Sequence, residues 1–153
     1  MTTPISFPST SSNFSLPLLF AGQAQKEFSL NQSLSIIDAL LLQSVDASAS
    51  VPPAGPADGA KYRVQAGASG DWSGHDDDIA IQIGGAWHFV APKNGMNLFD
   101  REAENTLHYN SGWKSAAEPT APSGGATVDS EARAAIVELI EALRNLGVFP
   151  ATS

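Results

Sequence analysis

Residues 79–90 read IAIQIGGAWHFV. Two runs rich in β-branched and aromatic residues, Ile79 to Ile83 and Ala86 to Val90, flank Gly84-Gly85. A glycine pair supplies the positive φ angles that a two-residue hairpin turn requires, so the stretch predicts a β-hairpin. Working outward, Tyr62-Arg63-Val64 predicts a short strand and GASGD a turn. Downstream, APKNG turns into Met96 to Phe99, and Asp100 to Asn105 is polar. Thr106 to Tyr109, a turn at Asn110-Ser111-Gly112 and a last strand from Trp113 complete the series. Short strands broken by turn signals predict a small antiparallel meander or sandwich over residues 51–114. It is entered through the breaker segment VPPAGPADGAKY, which three prolines stiffen.

A helix precedes this block. Ser29 to Gln32 matches a capping box, with Ser29 and Gln32 placed for reciprocal side-chain to backbone bonds. Leu30, Leu34, Ile37 and Leu41 then recur at helical spacing, with Val45 continuing the stripe and Ile36, Leu40 and Leu42 widening it. The helix is expected within residues 29–46. So wide an apolar face predicts contact on two sides, with its own β domain and with a neighbouring subunit.

Residues 115–127 have the composition of a linker, and a second helix is expected over 128–148. Asp129 suits its N-cap, Gly147 its C′ position, and Pro150 follows. Ile136 and Leu143 fall at heptad position a, and Leu139 and Leu146 at d, with Ile140 beside them. An isolated helix of this length is marginal in water, so it must bury this face. These five residues are the expected oligomerisation surface, and the broad face favours a trimer over a dimer.

Residues 1–28 are rich in Ser, Thr and Pro yet punctuated by large apolar side chains. A purely solvated tail needs no phenylalanines, so an extended docking arm is expected. Its contact residues are Phe14, Leu16, Leu18, Leu19, Gln23, Gln25 and Lys26, with AGQAQKE as a packing segment. The arm lacks the basic start of a signal peptide.

The chain has 153 residues, of which 42% are hydrophobic and only 16% charged, with 13 Gly and 10 Pro. That balance suits strands, turns and linkers around one modest domain. Cysteine is absent, so thiolate metal sites and disulfides play no part. A formal charge of −8 repels phosphate backbones and argues against nucleic acid as a partner. No apolar run is long enough to span a bilayer, so membrane insertion is not expected.

The tryptophans Trp72, Trp87 and Trp113 each follow a glycine turn. They read first as staples that pack across strands. Trp72, in the most polar surroundings and close to His75, is also the best placed to stack on a sugar ring. His75-Asp76-Asp77-Asp78 lacks the spacing of a calcium loop and reads as a solvated turn, so no metal site is expected. His88 and His108 could meet across a sheet, but two histidines do not make a metal site. No nucleophile elbow or P-loop is present, and a domain this small leaves little room for a carboxylate cleft. No catalytic residues and no cofactor are expected.

LPLLFAGQAQKEFSLNQSLSIIDALL followed by PPAGPADGAKYRVQAGASGDWSGHDDDIAIQIGGAWHFVAPKNG resembles a domain-of-unknown-function family found in virion proteins of tailed phages and gene transfer agents. The AGQAQKE block is the most specific part; Gln32-Ser33-Leu34 stands where the family often has an acidic residue. The resemblance covers roughly Leu16 to Trp113 and carries no catalytic residues. It implies a structural virion protein, a spike, fibre or adaptor component assembled in the host cytoplasm and then extracellular. Its partners would be other virion proteins and copies of itself, and its purpose host attachment. The alternative reading is a carbohydrate-binding module that recognises a host surface polysaccharide through Trp72 and His75. The expected fold class is α+β: an N-terminal arm and helix, a small antiparallel β meander or sandwich, and a C-terminal oligomerising helix.

Overall fold

The computed structural model describes residues 16–19, 24–125 and 129–150. The chain runs α1 (Lys26–Leu41), β1 (Ser44–Val45), β2 (Ala47–Ala49), β3 (Lys61–Val64), β4 (Ile79–Ile83), β5 (Ala86–Val90), β6 (Asn97–Asp100), β7 (Asn105–Tyr109), β8 (Trp113–Ser115) and α2 (Ser130–Asn145). The strands form two four-stranded sheets, β1-β6-β7-β8 and β2-β3-β4-β5. The fold is α+β, with a C-terminal helix.

The central hairpin forms where expected. Ile79 pairs with Val90 and Ile83 with Ala86, and Gly84 and Gly85 turn with φ of 59° and 84°. Strand β4 is buried on both faces. Ile79 and Ile81 join Val90, Val45 and Leu98 in the core between the sheets, closed at one end by Ile36 of α1. On the other face Ala80 packs with Val64 and Trp72. Trp113 of β8 ties the first sheet to the loop that leads into β4, its Nε1 donating to the Asp77 carbonyl at 2.8 Å.

Three features depart from the sequence-based expectation. Strands β1 and β2 precede the proline segment, so the sheets begin before residue 51. Both pair in parallel, β1 with β6 and β2 with β3. Helix α1 starts at Lys26, so Ser29 lies inside it and is not its cap. Gln25, with φ of 54°, precedes the first turn without a capping side chain. The arm meets the helix instead: the Ser33 hydroxyl lies 2.8 Å from the Pro17 carbonyl and 2.9 Å from that of Ser29. The helix also ends earlier than expected, and Val45 is fully buried in β1.

Lys61 closes the C-terminus of α1. Its last turn has no basic residue. The buried ammonium of Lys61 reaches up from β3 and donates to the Ala39 and Leu42 carbonyls at 2.7 Å each. This satisfies orphan carbonyls and places a cation at the negative end of the helix. Burial pushes the Lys61 pKa down, with the charges of Asp46 and Asp38 opposing the shift.

Helix α2 has the caps expected of it. Asp129 accepts from the Ala132 amide at 2.9 Å. At its end the Val148 amide donates to the Leu143 carbonyl and the Gly147 amide to that of Arg144, the pattern of a Schellman motif. The turn beyond docks on the first sheet: the Thr106 amide donates to the Gly147 carbonyl, and Phe149 and Ile140 are buried. Arg144 forks onto the Glu118 carboxylate, which raises the Arg144 pKa.

Candidate functional site

The two helices carry apolar side chains that are left exposed among the described residues. On α1, Ile36 and Ser33 point inward, while the leucine stripe points outward. Leu30, Leu34, Ile37 and Leu41 are all exposed, Leu34 by 53% and Leu41 by 77%. Their spacing alternates four and three residues, the spacing that a coiled-coil seam uses. On α2 the expected oligomerisation residues divide. Ile140 is buried and Leu143 half-buried, whereas Ile136, Leu139 and Leu146 are exposed, the last two by 60% and 74%. Ile140 therefore packs within its own chain, and of the a and d positions Ile136, Leu139 and Leu146 stay exposed while Leu143 is half-buried.

Of the expected docking residues, Phe14 and Gln23 lie outside the described residues. Leu16 packs against the core between the sheets, so it belongs to this subunit's own interior. Leu18 is half-buried, and Leu19, Gln25 and Lys26 are exposed, Lys26 as the first residue of α1, so residues 26–28 are helix and not extended arm.

The aromatic residues make a second feature. Trp72 sits in a short 3-10 turn, Gly70–Trp72, folded over the outer face of β4, and is 0% exposed. The polar residues around it in sequence form the outer surface of this turn, while the ring points inward. A sugar-stacking role for Trp72 is therefore replaced by a core role. Trp72 meets Trp87 edge-on at 5.1 Å and Tyr62 at 5.6 Å. His75 is half-buried, its Nδ1 2.9 Å from Asp78, and its ring stacks on Phe89 at 3.5 Å. Both residues thus stand behind Trp87 and Phe89, which alternate along β5 and line a groove of about 590 Å³ beneath the proline segment. Gln82, opposite Trp87 in the hairpin register, also lines it. The sequence signal for this groove is the polar Gln82 in an otherwise apolar strand, facing an aromatic.

A polar knot joins the two sheets at their other side. The Ser48 hydroxyl lies 2.5 Å from the buried Asp100 carboxylate and receives the Arg63 Nε at 2.7 Å. Asp100 also accepts from the Glu102 and Ala103 amides. Burial lowers the Arg63 pKa, against the pull of Asp100. With every Asp100 oxygen engaged, the carboxylate is a structural tie. His88 and His108 lie on different sheets, bonded to Gln32 and Asn97 respectively. Among the described residues no cluster of three or more His, Cys, Asp or Glu is placed to hold a metal ion. No described helix is long and apolar enough to cross a membrane.

This two-sheet body, with its helix on the core and its loops over β4, is the segment that a known family model recognises. The family is described as Protein of unknown function (DUF2793), and its model matches residues 30–114, more than half of the chain. The chain belongs to that family. No curated protein matches it.

Proposed function

We propose that the chain is a structural virion protein of a tailed phage or phage-like particle, an oligomeric spike, fibre or adaptor component that aids host attachment. The observation that carries the assembly half is the pair of uncovered coiled-coil seams, Leu30 to Leu41 on α1 and Ile136 to Leu146 on α2. Uncovered apolar stripes of this size mark interaction surfaces. Seams with four-three spacing are self-complementary, so copies of the same chain are the simplest partner, and a trimer accommodates the wide α2 face. The virion setting rests on the resemblance of the AGQAQKE block and the Gly-Trp turns to virion proteins. The exposed Leu19, Gln25 and Lys26 are the residues this reading offers to a neighbouring virion protein.

Antibody labelling of purified particles tests this reading. The chain is expected on the particle exterior, in clusters that match an oligomer. Its absence from purified particles that carry the other structural proteins contradicts the proposal.

A further inference from the structure

The groove along β5 is built unlike a packing defect. Its apolar lining includes the half-buried rings of Trp87 and Phe89, with Pro53 and Pro56. Gln82 lines it at 7% exposure, and its Oε1 is one of three buried polar side-chain atoms without a hydrogen-bond partner among the described residues. Leaving such a carbonyl unpaired costs about 1–3 kcal/mol, and turning the amide toward a donor in the groove relieves that cost. Asp71, exposed at the rim, adds a second acceptor. The rings are held rigidly: Trp87 by Trp72 and Tyr62, and Phe89 by the His75 stack.

We infer that this groove binds a neutral saccharide, with a sugar ring laid on Trp87 and Phe89 and hydroxyl groups bonding to the Gln82 side-chain amide and to Asp71. Three features select that ligand. Flat, immobilised aromatic faces suit the C–H face of a sugar ring. The Gln82 amide offers N–H donors beside its carbonyl and Asp71 offers an acceptor, and saccharide hydroxyls can both donate and accept. A proline-rich peptide would suit the rings and could accept from the Gln82 amide, but its prolines carry no N–H to offer Asp71. The net charge of −8 and the rim carboxylate disfavour anionic glycans. The inference rests on the attachment half of the proposed function and supplies its chemistry; it does not depend on the assembly half.

The test is titration of the full chain with chitopentaose, cellopentaose and maltopentaose. Tryptophan fluorescence and amide chemical shifts are read together. Binding of at least one probe is expected, with shifts confined to Gly85, Trp87, Phe89 and Asp71. Trp87→Ala should weaken it about tenfold, the scale of one lost stacking contact. Because Trp87 also packs on Trp72, Asp71→Ala is the companion variant. Asp71 is exposed, and its replacement should weaken binding about fivefold with the fold intact. No binding by any probe, shifts elsewhere on the surface, or decaproline occupying the groove while all three saccharides stay silent overturns the inference. Light scattering on the same samples separates the two readings. An oligomer that ignores saccharides loses only this site, and a monomer that binds them loses only the assembly half.

Discussion

Gly147 lies under the ring of Phe99, so close that a Cβ on the glycine would sit 2.7 Å from Phe99 Cε2. Its φ of +67° is also one that a side chain resists. The glycine thus allows two things at once: the left-handed end of α2 and the close seat of that end on the first sheet. The Thr106 amide to Gly147 carbonyl bond completes the latch.

Gly147→Ala is expected to loosen this latch at a cost of about 1–3 kcal/mol. The Thr106 amide should exchange with solvent about tenfold faster or more, while amides of β4 and β5 keep their protection. Unchanged exchange at Thr106 would contradict the latch.

Lys61→Met keeps the length of the side chain and removes the ammonium that closes α1. The Ala39 and Leu42 carbonyls lose charged donors at 2.7 Å, and a loss of about 1–3 kcal/mol is expected in urea unfolding. Burial lowers the Lys61 pKa below its ordinary 10.5. The unfolded chain therefore binds this proton more tightly, and this group makes stability rise with pH between its folded value and 10.5. That rise should be absent in the methionine variant.

Asp76 holds the loop that carries Trp72 by accepting from the Gly67 and Ala68 amides at 3.1 and 3.0 Å. Those bonds, that of Ala68 first, lower its pKa below the ordinary 3.8. A lowered carboxyl pKa gives stability that is full above 3.8 and lost as pH falls through the folded value. Asp76→Asn should therefore be less stable than the parent at about pH 6, with the gap closing only below about pH 4. A gap that stays the same throughout an acid titration would contradict this assignment.

These interactions also show what local sequence can reveal. The hairpin at Gly84-Gly85 and the caps of α2 at Asp129 and Gly147 were legible because each depends on residues close together in the chain. Strands β1 and β2 were not. Ser44-Val45 and Ala47 to Ala49 are short and made mostly of small residues, and they become strands only by parallel pairing with β6 and β3. The start of α1 was misplaced because Ser29 has the chemistry of a cap, while the arm near Pro17 packs where Ser33 can reach it. Trp72 carried a polar neighbourhood in sequence, yet the 3-10 turn directs its ring into the core. The groove residues Gln82, Trp87 and Phe89 were visible as strand residues. Their meeting with the proline segment depends on loops whose course no periodicity records.

The exposed helical seams bear on assembly, and mass in solution tests them most directly. Light scattering with sedimentation equilibrium on the full chain should give a defined multiple of 15.9 kDa, a trimer being favoured. Leu34→Glu and Leu139→Glu place charges in the two seams at exposed positions, so each should lower that mass without changing helix content. A chain that stays at 15.9 kDa across the concentration range, with both substitutions silent, would contradict the account.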